Sequence, residues 1–260
     1  KLEEYGNILI PSGFGELASG LVGEGRMAEP QEIFDYISAN LSKKLPLSNK
    51  KVLITAGPTY EPIDPVRFIG NRSSGKMGIE LAFEAANCGA MVDLVLGPSA
   101  LDCTHTNIRI YRVQSAAEMF AKVDSLFSKS DISIFAAAVS DYTPKIKEPR
   151  KIKKSSNSIS IELEQTRDIL SLMSLRKTEL QFIVGFALET ENEIENAKSK
   201  LINKKLDMIV MNSLANKGAG FEFNTNKITI IDKMNSVTQF NLKDKKEVAK
   251  DIIKMILKKI

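Results

Sequence analysis

From residue 51 onward the chain repeats one pattern: a short apolar run, a turn, then a segment with helical spacing. Apolar runs at 52–55, 91–96, 132–138, 182–187 and 208–211 alternate with helical segments near 76–88, 115–129, 167–177 and 190–205. Strands that read as unbroken apolar stretches are covered on both faces, and strands joined through helices run parallel. The expectation is an α/β fold, a doubly wound, mostly parallel sheet with helices on both faces. Runs at 159–163, 228–231 and 237–240 add further strands, and Val248, Ile252, Met255 and Ile256 mark a last amphipathic helix.

Before residue 46 the pattern is different. A Gly-rich stretch at 11–30 reads as an ordered loop or flap, and Ile33, Phe34, Ile37 and Leu41 give a helix period over 31–41. The reading is a short N-terminal appendage over 1–45, a polar linker, and one Rossmann-like domain over 46–260. Lys1 to Tyr5 resembles the end of a helix, with neither an initiator Met nor the regions of a signal peptide. The sequence is therefore expected to be a piece of a longer polypeptide.

Composition excludes several classes. With 43% hydrophobic and 26% charged residues the chain is an ordinary globular one, and no apolar run reaches the roughly 18 residues of a membrane span. Cys88 and Cys103 are the two cysteines and His105 the one histidine, too few and too scattered for a disulfide framework or a zinc site. A reducing cytoplasm fits that usage, with His105 an ordinary loop residue. The net charge of +4 is uneven: +5 over 145–154, +4 over 241–260, and about −5 elsewhere. Basic clusters on a mildly acidic body suit a small anionic ligand, and no aromatic residues interleave with the lysines to stack nucleic-acid bases.

In such sheets ligands bind beyond the carboxyl ends of the strands, where the strand order reverses. The first strand leads through Thr55 to Thr59 to Gly70-Asn71-Arg72-Ser73-Ser74-Gly75-Lys76-Met77-Gly78. No G-x-G-x-x-G joins strand to helix, and Met77 stands where a phosphate loop needs Ser or Thr, so neither dinucleotide nor P-loop chemistry follows. Asn71, Ser73, Ser74 and Gly75 still open a helix whose backbone donors suit a phosphate or carboxylate, with Arg67 nearby. The plain alternative is that a serine merely caps the helix. Ala137 is one of the small residues that end the 132–138 run, and Asp141 follows it, where it either accepts from an amine, coordinates a metal or only starts a turn. Phe186 either flanks a base or packs in the core. Lys200 and Lys204, four apart on a helix, either grip a polyphosphate or face solvent.

Taken together, Thr55 to Thr59, Asp64-Pro65-Val66-Arg67, Asn71 to Gly78, Ala137 to Tyr142, Lys151-Ile152-Lys153-Lys154, Gly185-Phe186-Ala187 with Glu189-Thr190, and Asn212 resemble phosphopantothenate–cysteine ligase, in order and without large gaps. Pro11 to Pro30, with Gly23-Glu24-Gly25-Arg26-Met27, is similar to the substrate flap of the FMN-dependent phosphopantothenoylcysteine decarboxylase, often fused before the ligase. The resemblance implies a decarboxylase remnant over 1–45 and a ligase domain over 46–260 of a bifunctional coenzyme A biosynthesis protein. Ser19 stands where many decarboxylases carry a catalytic Cys, and a serine is no comparably acidic donor. Decarboxylation is not expected from these residues alone.

The implied reaction has two steps. The carboxylate of 4′-phosphopantothenate attacks the α-phosphorus of CTP, giving an acyl-cytidylate and pyrophosphate; the amine of L-cysteine then displaces CMP. By resemblance Asn71 handles the acyl-cytidylate and Lys151 stabilises charge during activation. Ala137, Asp141, Arg167, Asp168, Ile169, Leu170, Phe186, Lys200 and Lys204 contact the nucleotide, although Arg167-Asp168-Ile169-Leu170 departs from the usual Asn-Pro-Asp-Ile-Val. Arg67, Asn71, Ser74 and Gly75 serve the substrate's phosphate or carboxylate. Mg2+ is expected with the triphosphate, its ligands unspecified, and a homodimer through the ligase domain, assembling further in the full fusion. Two rivals are weighed. A nicotinamide oxidoreductase would require the absent Gly-rich turn, and a non-catalytic regulatory relative would show eroded Asn71 or Lys151 positions.

Overall fold

The computed structural model describes residues 1–153, 158–189, 191–213 and 223–260. Two compact units divide the chain, Lys1–Ser48 and Asn49–Ile260. In the first, β1 (Gly13–Glu16) and β2 (Val22–Arg26) pair antiparallel, and α1 (Pro30–Lys43) follows. The stretch expected as a flap is thus largely a two-stranded ribbon. Gly13, Gly15, Gly23 and Gly25 alternate with larger residues along it, a period of two that suits a strand.

The second unit runs, in chain order, β3 (Lys51–Ala56), β4 (Tyr60–Pro62), β5 (Phe68–Gly70), α2 (Lys76–Asn87), β6 (Met91–Leu96), β7 (Ile108–Arg112) and α3 (Ala116–Phe127). It continues with β8 (Ile132–Phe135), β9 (Tyr142–Pro144), β10 (Leu163–Gln165), α4 (Ile169–Leu175), β11 (Phe182–Glu189) and α5 (Glu193–Asn203). It closes with β12 (Met208–Ser213), β13 (Thr225–Asn226), β14 (Ile228–Asp232), β15 (Val237–Gln239), β16 (Lys243–Asp244) and α6 (Lys245–Leu257).

Eight strands form one sheet ordered β15-β14-β12-β11-β8-β3-β6-β7. The six from β12 to β7 are parallel, and β14 and β15 add an antiparallel margin. The chain builds outward from β3 through β6 to β7, then returns to β8 on the other side of β3, so the order reverses there. On one face α3, α4 and α5 supply Met119, Val123, Phe127, Ile169, Met173, Ala197 and Leu201 to a core closed against Leu53, Ile183 and Ile209. α2 and α6 pack on each other. In α6 Val248, Ile252 and Ile256 are fully buried, each contributing about 1.5–3 kcal/mol relative to exposure.

Several bounds differ from the sequence reading. The run at 132–138 yields a strand only to Phe135. Ala136 and Ala138 stay bonded to the β3 side through Thr55 O and Gly57 O, at 3.1 and 2.9 Å, but leave β11. The strand expected at 159–163 lies at Leu163–Gln165. β7 was not anticipated, because its outward residues Arg109 and Arg112 break the apolar run of an edge strand. Cys88 and Cys103 are free thiols, and His105 is a loop residue whose Nδ1 accepts from the Asn107 N–H at 3.0 Å.

Candidate active site

A cavity of about 700 Å³ opens at the carboxyl ends of β3, β8, β11 and β12. It sits where α/β topology places ligands. Of the fourteen residues that the resemblance assigns to the ligase site, eleven line it: Asn71, Ser74, Gly75, Ala137, Asp141, Arg167, Asp168, Ile169, Leu170, Phe186 and Lys204.

The α2 end of the cavity is set by close backbone approach. Gly75 is the N-cap at φ +81°, and a Cβ there would lie 3.2 Å from Gly57 Cα. Ser73 Oγ and Ser74 Oγ accept only long bonds from Gly75 N and Lys76 N, at 3.3 and 3.4 Å. Neither serine is the N-cap, so capping does not account for this sequence, and the first turn presents its N–H groups with the positive end of the helix dipole. Asn71 reaches across to the β8 side, where Nδ2 donates to Ala138 O at 3.2 Å and Val139 O at 2.9 Å. Asn71 Nδ2 thus donates to two successive main-chain oxygens.

The opposite wall is carried by α4 and the end of α5. Asp168 caps α4: Oδ1 accepts from Ser171 N at 3.0 Å, and Oδ2 from Ser171 Oγ at 2.7 Å and Lys204 Nζ at 2.8 Å. Partial burial would raise the Asp168 carboxyl, but the Lys204 ammonium and the Ser171 donors outweigh it and hold the group below the usual carboxylate range. Arg167 lies over the Phe120 ring, 4.8 Å from its centroid. Along β11, pairing with β8 ends at Gly185↔Phe135, whereas pairing with β12 runs on to Glu189↔Ser213. Phe186, Ala187 and Leu188 therefore border the cavity on an open side.

Three expected residues lie elsewhere. Lys200 is exposed on α5, and of the lysine pair only Lys204 reaches the cavity. Lys151 lines a separate groove of about 550 Å³ with Ile63, Ile146, Ile152 and Ile159. Arg67 holds that lysine segment instead of lining the cavity. Its guanidinium bonds Asp64 Oδ2 through Nε at 2.9 Å and Ile152 O through Nη2 at 2.9 Å. Asp64 Oδ2 also accepts from Ile152 N at 3.2 Å, and Oδ1 accepts from Val66 N and Arg67 N, both at 2.8 Å. Burial alone would raise the Asp64 carboxyl, yet the Arg67 guanidinium and these backbone donors hold it far below its ordinary range. The β4–β5 turn is thus a clip on both polar groups of Ile152. Lys154, Thr190 and most of the Gly/aromatic loop at 218–223 lie outside the described residues.

Sequence reasoning missed Asn226 and Lys245 and quoted Lys76 only within its motif, with no role; all three also line the cavity. Asp244 with Glu247 three residues on is a readable helix-start signal that would have put Lys245 at the first turn of α6. Asn212 was noticed as following a strand; it lies within β12. Among the described residues no group of three or more His, Cys, Asp or Glu side chains is placed to hold a metal ion.

The fold and cavity can be set beside known proteins. A relative from an unknown prokaryotic organism, named cysteine/cysteine sulfinic acid decarboxylase, is 53% identical over 98% of this chain and 72% of its own length. The coenzyme A biosynthesis bifunctional protein CoaBC of Bacillus subtilis (strain 168) is 42% identical over 98% of this chain, which spans 63% of that relative. A crystal structure of the C-terminal domain of a CoaBC protein superposes with a TM-score of 0.70 at 41% identity, covering 82% of this chain and 97% of that one. Residues 47–260 match the model of the DNA/pantothenate metabolism flavoprotein C-terminal domain. With more than half its length in that match, the chain belongs to the family of the DNA/pantothenate metabolism flavoprotein C-terminal domain.

Proposed function

We propose that this chain is a phosphopantothenate–cysteine ligase that activates its acid with CTP. The observation that carries the reading is that the α2 N-terminus, Asn71, Asp168, Lys204 and the open edge of β11 line one cavity. Such a site has an anion-binding end and a planar-ring end. The similarity to CoaBC proteins and to a CoaBC C-terminal domain supports the same assignment.

In the first step a carboxylate oxygen forms a bond to the α-phosphorus of CTP as the bond to pyrophosphate breaks. In the second, the cysteine nitrogen bonds the acyl carbon, the C–O bond to CMP breaks, and the amine loses a proton. The protein's contribution is positioning and charge stabilisation. Asn71, at the mouth of α2, exchanges its longer bond, to Ala138 O, for the acyl oxygen as negative charge grows there. Phe186 and the main chain beside it flank the cytosine. Arg167 and Lys204 meet the nucleotide's phosphates, Lys204 leaving Asp168 to do so. Lys151 swings with its loop from the neighbouring groove to the α-phosphate, pivoting on the clip at Ile152. Mg2+ accompanies the triphosphate, and the ligase works as a homodimer in the cytoplasm; no helix among the described residues is long and apolar enough to cross a membrane.

Incubation with 4′-phosphopantothenate, L-cysteine and CTP is expected to release pyrophosphate and CMP in equal amounts, with pyrophosphate alone when cysteine is withheld. Absence of both products sinks the assignment. The relative named as a decarboxylase favours a second activity for a longer protein containing this chain, acting with FMN beside the Ser19 ribbon. Carbon dioxide release by such a protein, from phosphopantothenoylcysteine against cysteine sulfinate, tests it.

A further inference from the structure

Two helices begin at the same wall of the cavity, and each begins with a lysine. Lys76 is the first residue of α2 and Lys245 the first of α6, and both line the cavity. Lys245 is only 3% exposed. Its main-chain N–H is fixed by Asn224 O at 2.9 Å, and Asn224 Oδ1 accepts from Lys76 Nζ at 2.9 Å. Asp244, the nearby carboxylate, accepts from Lys246 N at 2.8 Å as the cap of α6. Burial and the Lys76 charge push the Lys245 ammonium down to about 8, with Asp244 opposing them. Like charges and the positive ends of two helix dipoles are therefore gathered on one surface.

The neighbouring polar groups point the same way. Asn226, 3% exposed, accepts from Asn212 Nδ2 at 3.3 Å. Asn212 Oδ1 is buried and has no hydrogen-bond partner among the described residues. A buried acceptor left unmade costs about 1–3 kcal/mol, so its retention beside a cavity indicates that a ligand donor meets it. A bare anion would answer the lysines but not this oxygen. A phosphate ester carrying a hydroxyl or amide N–H close to its phosphate answers both.

We propose that Lys76, Lys245, Asn212 and the first turns of α2 and α6 form a recess for the phosphate of a phosphate-ester substrate, with Asn212 Oδ1 accepting from a hydroxyl or amide N–H beside it. The inference rests on the ligase reading and deepens it. The ester is either 4′-phosphopantothenate or the nucleotide, two sources of the same chemistry. Binding brings a dianion against the ammonium groups and relieves their repulsion, so Lys245 recovers its proton. At pH 8 complex formation therefore takes up a fraction of a proton.

The test is calorimetric titration of the whole chain and of Lys76→Met and Lys245→Met with 4′-phosphopantothenate, CTP and inorganic pyrophosphate. The half-buried Lys76 provides the second variant in case the buried site does not tolerate change, and unfolding curves confirm that each is folded. Both variants are expected to bind at least one of the two esters about tenfold or more weakly, the loss of one charge-assisted hydrogen bond. The ester that weakens identifies the occupant. Wild-type heats at pH 8 are expected to vary with the ionisation enthalpy of the buffer, and those of folded Lys245→Met to vary less. Wild-type affinity for both esters in folded variants overturns the recess. The two readings fail separately. Turnover by the wild type together with an unchanged KM in both folded variants refutes the recess alone. A wild type that yields no CMP refutes the ligase assignment, and the loss or retention of ester binding in the folded variants then still decides the recess.

Discussion

Asn71 donates from Nδ2 to Ala138 O and Val139 O. An aspartate there presents only acceptors to two carbonyl oxygens and cannot serve an acyl oxygen. Asn71→Asp is expected to release pyrophosphate from CTP while amide formation slows by about 10²-fold or more, the usual loss for one oxyanion donor. Rapid quench should then show accumulated acyl-cytidylate, and normal amide formation would count against the role. Asp64 makes a different prediction. Its carboxyl titrates lower folded than unfolded, so its stabilisation is present above the unfolded pKa of roughly 3.9. That stabilisation is lost as pH falls through the folded value. Asp64→Asn should melt below the wild type at pH 7, and the gap should narrow progressively below about pH 4. Residues of this kind differ in how far a sequence reveals them. Asn71 was legible as a donor at the start of an anion-binding helix, and its role came from the motif it shares with the ligase family. Asp64 was visible only inside a motif, since its partner Ile152 lies 88 residues away. Lys245 was hidden among seven lysines near the C-terminus, and nothing short of packing distinguishes a buried one.

α2 owes its place to a glycine on its inner side. A Cβ on Gly78 would stand 2.4 Å from Ala56 Cβ and 3.1 Å from Ala56 Cα. The helix lies that close to β3, which is how its first turn comes to the strand ends. Gly78→Ala is expected to destabilise the chain by about 1–3 kcal/mol through overpacking, measurable as a lower midpoint in urea. It should also weaken nucleotide-dependent turnover by displacing the first turn. The segment between β9 and β10 carries Lys145, Lys147, Arg150, Lys151 and Lys153, all exposed. It is held at its base by Lys145 Nζ to Glu162 Oε1 at 2.8 Å and in its middle by the Asp64 clip. CTP and 4′-phosphopantothenate together are expected to slow tryptic cleavage over 145–153. Equal cleavage with and without them would show that this segment does not close over the site. The regular elements were legible from apolar spacing, because strands covered on both faces repeat the same signal. β1, β2, β4, β5, β7, β9, β13 and β16 were not: glycines conceal the ribbon, arginines interrupt the edge strand, and strands of two or three residues are too short to show a period.

Taken whole, Asn49–Ile260 contains the entire sheet and every residue lining the cavity. A polypeptide of this unit alone is expected to unfold in one transition and to retain the CTP-dependent release of pyrophosphate. Loss of that release would assign part of the machinery to Lys1–Ser48. That the cavity lies beyond the carboxyl ends of the strands followed from alternating runs and helices, whereas the strands between which the order reverses came only from the structure. The depth of the cavity did not follow either, for it depends on β8 stopping four residues before β11 does. That early stop has a lasting effect. Beyond Gly185 β8 no longer pairs with β11, so in the proposed ligase the main chain of β11 borders the nucleotide there, and peptide groups are the same whatever side chains they carry. On the ligase reading the choice of base rests in part on main-chain groups at a strand end, so point mutations are expected to loosen the grip on a nucleotide more readily than they exchange it for a different one.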